Sequence, residues 1–94
     1  MKRRWTPLAG RHLESAYEFL AQDTPTAADK AIEPILSAVE LLEQRPEMGR
    51  KGRVHGTKEL VITGTPFVVA YRLRREYVEI LALLHGARRW PNRL

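Results

Sequence analysis

Chemistry in this chain must come from imidazole, guanidinium, ammonium and carboxylate groups, because its 94 residues contain no cysteine. Disulfides, thiolate zinc sites and cysteine nucleophiles are thereby excluded. Of the three histidines, His12 falls on a helical stretch and His55 in a turn-like Val-His-Gly-Thr context, and both are expected at the surface. His85 closes an apolar run just before Gly86. An imidazole there can move a proton near neutral pH, or serve as a hydrogen-bonded, partly buried structural side chain. The larger set is cationic: Arg72, Arg74, Arg75, Arg88, Arg89 and Arg93, with Arg53 and Lys58 nearby in sequence. Alternation puts Arg72 and Arg74 on one strand face, and Arg88 emerges from the neighbouring strand. Guanidinium groups so placed suit phosphate or carboxylate recognition, and they also keep an exposed sheet face hydrated. Trp90, beside Arg88 and Arg89, offers a flat surface that can stack on a base or pack against a partner. The loop from Glu47 to Arg53 matches neither the phosphate-loop pattern nor the dinucleotide fingerprint. No cofactor and no metal are expected.

The elements that carry these groups are legible from periodicity. Lys2 to Pro7 reads as an edge strand. From Leu8 the period becomes helical, with Ala9, Leu13, Ala16, Tyr17 and Leu20 on one stripe and an end near Gln22-Asp23. Thr24-Pro25 starts a second helix, whose stripe is Ile32, Ile35, Val39 and Leu42; Pro34 should kink it and Arg45-Pro46 end it. Three strands follow. Val54 to Ile62 stops at the turn Thr63-Gly64-Thr65-Pro66. Phe67 to Arg74 places Phe67, Val69, Tyr71 and Leu73 opposite Val68, Ala70, Arg72 and Arg74. Tyr77 to His85, apolar on both faces, belongs inside the sheet. The order is β-α-α-β-β-β, an α+β domain with a helix hairpin on a largely antiparallel sheet, in one unit spanning 1–94.

Charge is unevenly spread. Residues 1–7 sum to +3, residues 8–44 to −5 and residues 45–94 to +7, giving the net +5. Basic flanks around an acidic middle suit an acidic partner such as nucleic acid or an acidic peptide. Neither a signal-peptide core nor a membrane-length apolar run is present, so a cytoplasmic protein is expected.

The runs Trp5-Thr-Pro-Leu-Ala, Arg45-Pro-Glu-Met-Gly-Arg, Val54-His-Gly-Thr-Lys-Glu-Leu-Val, Pro66-Phe-Val-Val-Ala-Tyr-Arg-Leu and Ile80-Leu-Ala-Leu-Leu-His-Gly-Ala-Arg-Arg-Trp-Pro occur in a familiar order. In this the chain resembles the RelE/ParE superfamily of bacterial type II toxins across nearly its whole length. The resemblance implies a helix hairpin on an antiparallel sheet and a cognate antitoxin bound in a hetero-oligomer. It also implies one of two activities: inhibition of DNA gyrase in the ParE branch, or cleavage of mRNA on the ribosome in the RelE branch. Of the residues RelE-type nucleases use, the sheet arginine falls on Val68, the paired lysines are represented by Lys58 followed by Glu59, and Trp90 stands where a tyrosine is needed. The GTKELV strand and the HGARRWP ending look closer to ParE. The expected target surface is therefore His85, Arg88, Arg89 and Trp90, with Arg72, Arg74 and Lys58 for the antitoxin. A nuclease would instead work through Arg72, His85 and Arg88, and a plain nucleic-acid-binding module is a third possibility.

Overall fold

The chain is described here by a computed structural model covering residues 1–22, 24–86, 90, 91 and 94; the side chains of Leu20 and Pro25 also lie outside the described set. Strand β1 (Lys2–Trp5) hands over to helix α1 (Pro7–Ala21) at Thr6. The Thr6 hydroxyl accepts a bond from the Ala9 N–H and donates to the Leu81 carbonyl, both at 3.2 Å. It thus caps the helix and ties it to the sheet. Pro7 costs nothing in the first turn, where its missing donor would have had no helical partner.

Helix α2 (Pro25–Leu42) starts as its sequence requires, with Thr24 accepting a bond from Ala27 N–H at 3.1 Å. Pro34 sits within it and is exposed, so the donor it lacks is missing on the solvent side. The helix stops three residues short of Arg45, because Gln44 and Arg45 both turn back to the Leu41 carbonyl. The hairpin expectation holds: α1 and α2 pack on each other, and Tyr17 on α1 bonds Asp29 on α2 at 2.8 Å.

Strands β2 (Arg50–Lys51), β3 (Lys58–Val61), β4 (Phe67–Leu73) and β5 (Tyr77–His85) complete a five-stranded sheet in the order β1-β5-β4-β3-β2. The pair β1–β5 is parallel and the other pairs are antiparallel. β1 is an edge and β5 lies inside, as expected. Two features differ from the sequence reading. The short β2 was not foreseen, and the strand expected from Val54 begins only at Lys58. Residues 53–56 instead form a turn in which Thr57 bonds the Val54 carbonyl through both its N–H and its hydroxyl. Gly56, at φ +79°, supplies the left-handed residue this turn needs.

Alternation in β5 is broken by a bulge. Ala70 pairs with Ala82 but Tyr71 pairs with Ile80, leaving Leu81 as an extra residue. Strict alternation groups Ala82 and Leu84 with Val78 and Ile80; the bulge instead brings Leu83 to the helix face. The core there comprises Ala9, Ala16, Ile35, Val39 and Leu42 from the helices over Val69, Tyr71, Val78, Ile80 and Leu83. Tyr71, fully buried, accepts a bond from Gly49 N–H and donates to the Pro46 carbonyl, both at 2.8 Å. These two bonds fasten the Arg-Pro-Glu-Met-Gly loop to the sheet. A Cβ at Gly49 would come within 2.5 Å of the Tyr71 hydroxyl. Among the described residues, no helix is long and apolar enough to cross a membrane.

Candidate functional site

Where β5 ends, the two helices and the β3–β4 turn enclose a cleft of about 720 Å³, lined among others by His12, Phe19, Lys30, Phe67, His85 and Trp90. Phe67 and His85 face each other across β4 and β5, rings edge-on with centroids 6.0 Å apart. Phe19 is 68% exposed. An apolar recess rimmed by imidazole and ammonium groups suits an amphipathic segment carrying carboxylates.

His12 is not the surface residue expected of it. It is half-buried, and its Nδ1 accepts a bond from Leu83 N–H at 3.2 Å. Burial, with help from the neighbouring Arg11 charge, holds its pKa below the ordinary value. Since Nδ1 is the acceptor, the proton of the neutral ring sits on Nε2. The signal was present in the sequence: His12 lies three residues after Ala9 and four before Ala16, on the buried stripe.

The residues of a possible nuclease centre are not brought together. Arg72 alternates with Tyr71 and Leu73 and lies opposite Glu79, so it sits on the sheet face away from the helices. His85 lies on the helix face, opposite Phe67. The two are also five positions apart along the ladder, about 17 Å. Arg88 and Arg89 lie outside the described residues. Of the expected target surface, His85 and Trp90 do share the cleft.

The basic patch is likewise divided. Arg74 holds Glu79 at 3.2 Å. Lys58, opposite Tyr71, points to the other face, where it meets Glu47 at 3.4 Å and the Gly49 carbonyl at 3.5 Å. Arg50 and Arg53 both bind Glu59, at 3.2 and 3.3 Å. Glu59 is 3% exposed. Burial raises its pKa, but the Arg53 N–H and the two guanidinium groups outweigh that and hold it below the usual carboxylate value. Sequence reading passed over Glu59, although an acid alternating against Leu60 downstream of Arg50 and Arg53 was a usable sign. Among the described residues, no group of three or more histidines and acids is placed to hold a metal ion.

Residues 3–90 match the family described as the ParE toxin of the type II toxin–antitoxin system parDE. The chain belongs to the ParE toxin family. Similar proteins include a putative toxin, Y4kP, of Sinorhizobium fredii, 38% identical over 95% of this chain and 92% of the other. Toxin RelE3 of Caulobacter vibrioides is 33% identical over 88% of this chain and 91% of its own. Among solved structures, the chromosomal ParDE toxin–antitoxin system of P. aeruginosa superposes with a TM-score of 0.81 at 28% identity. That match covers 88% of this chain and 92% of the other. The ParE fold, two helices packed on a five-stranded mixed sheet, is therefore shared, and an antitoxin is this ParE chain's partner class.

Proposed function

We propose that this toxin acts in the cytoplasm by binding and inhibiting DNA gyrase through the end of β5, with no hydrolytic centre of its own. The observation that carries this reading is the separation of Arg72 from His85, which lie on opposite sheet faces and far apart along the strands. A phosphoryl-transfer site needs its charge-stabilising and proton-moving groups within hydrogen-bond reach of one scissile phosphate. His85 and Trp90 instead border one apolar cleft, an arrangement suited to gripping a protein. Arg88 and Arg89 complete the proposed target surface in sequence.

The antitoxin is proposed to cover the cleft with an acidic, amphipathic segment and the far sheet face around Arg72 and Arg74 with further carboxylates. Lys30, lining the cleft with Phe19, favours such a segment over a neutral one. Lys58, committed to Glu47 and the Gly49 carbonyl, contributes at the loop side.

Expression without the antitoxin tests the target. Accumulation of cleaved gyrase–DNA complexes supports the reading. Codon-specific breaks in translated messages, the activity a RelE-type toxin would show, would overturn it.

A further inference from the structure

Glu59 on β3 is a buried carboxylate with four bonds converging on it. Arg53 supplies its backbone N–H at 2.7 Å, its Nε at 3.3 Å and an Nη2 at 3.3 Å, and Arg50 adds an Nη2 at 3.2 Å. Two of these come from the guanidinium of Arg53, which fixes that plane in space. On the plane lies the Trp90 ring, with the guanidinium carbon 3.6 Å from the ring centroid. The loop before β3 is thus joined to the segment after β5, far along the chain.

The contact has little in reserve. The Trp90 indole N–H is buried and has no acceptor among the described residues. An unpaired buried donor costs an amount comparable to what a part-exposed cation–π contact gains. Docking of this ring therefore depends on the Arg53 plane staying where Glu59 holds it. A lysine would keep the charge but lose both the flat stack and the fork that engages the carboxylate.

We infer that Arg53 and Glu59 are positioning residues for Trp90, holding its ring in the geometry with which it meets its target. The part that concerns the target rests on the gyrase reading above; the part that concerns Trp90 does not.

The chain has two tryptophans, so a Trp5→Phe background leaves Trp90 as the only indole emitter. Emission maximum, acrylamide quenching, unfolding midpoint and gyrase inhibition are measured for Arg53→Ala, Arg53→Lys and Glu59→Gln, using the full chain. Both Arg53 variants are expected to shift Trp90 emission to the red and raise its quenching. Each should also need about 3- to 30-fold more protein for the same inhibition, the range a cation–π contact spans. Arg53→Lys keeps the backbone N–H and a positive charge beside Glu59. It should lower the unfolding midpoint less than Glu59→Gln while shifting Trp90 emission as fully as Arg53→Ala, which separates positioning from loss of fold. Unaltered Trp90 emission and quenching in both Arg53 variants would overturn the inference. A red shift with undiminished inhibition would uphold the positioning of Trp90 and overturn the target surface instead.

Discussion

Leu83 donates its backbone N–H to His12 Nδ1 at 3.2 Å, so a helix side chain completes the hydrogen bonding of a bulged strand. β1 pairs with β5 only as far as Ile80, and beyond it Thr6 and His12 take over from the missing strand at Leu81 and Leu83. Buried backbone groups need partners, and here α1 supplies them. Removing the acceptor with His12→Ala should cost about 1–3 kcal/mol, as expected for an orphaned buried N–H. His12→Asn, whose carbonyl oxygen can take the place of Nδ1, should recover most of it. Urea unfolding of the three proteins at neutral pH measures both effects.

Burial of the same ring, with the Arg11 charge beside it, makes stability depend on pH with a defined sign. The His12 pKa is lowered from 6.5 in the folded chain, so the unfolded chain binds the proton more readily. The contribution is complete above the ordinary histidine value and is lost as pH falls below it. Glu59, lowered from 4.5, adds a second loss at more acid pH, as its carboxylate is protonated and released from Arg53 and Arg50. A stability profile against pH should show both steps. In His12→Asn only the lower one should remain.

The hairpin and sheet share one core, and truncation within it tests the packing directly. Val39 and Ile80 are both fully buried. Replacing either with Ala should cost on the order of 1–4 kcal/mol through lost burial and the cavity left behind. An unchanged urea midpoint for either variant would remove that residue from the core.

Much of this architecture could be read from the chain, and the exceptions share a cause. The start of α2 and the faces of both helices followed from Thr24-Pro25 and from the apolar stripes, because capping and periodicity are local. The end of α2 did not: it lies at Leu42 and not at Arg45-Pro46. The β4 faces followed for the same reason, since alternation holds there without a break. The β5 faces did not, because the bulge at Leu81 is settled by pairing with a β4 distant in sequence. His12 was read as a surface residue and Glu59 was passed over because each is polar, and each is buried by partners in another element. Trp90 stood out as a candidate anchor, and its contact with Arg53 joins residues with most of the sheet between them in sequence.

Charge reversal on the far sheet face tests the proposed antitoxin surface. Arg74 already pairs with Glu79, whereas Arg72 stands across the ladder from it with no ion pair of its own among the described residues. Arg72→Glu should therefore weaken the toxin–antitoxin complex by on the order of 1 kcal/mol and flatten its salt dependence. Arg74→Glu alone should do less. Titrations at two ionic strengths check this, and unaltered affinity and salt slope in the double variant would count against the surface.

On the proposed reading, inhibition rests on a binding surface and not on proton transfer by His85. The most direct measurement is the activity of purified His85→Gln beside the parent chain, with gyrase and relaxed plasmid in one tube and programmed ribosomes in another. Glutamine keeps hydrogen-bonding capacity but cannot act as a general acid near neutral pH. Inhibition of supercoiling that survives His85→Gln, and is weakened by about 1–3 kcal/mol in Trp90→Ala as expected for an aromatic anchor, is the predicted result. Site-specific cleavage of message by the parent chain, reduced roughly 100-fold or more in His85→Gln, would contradict it.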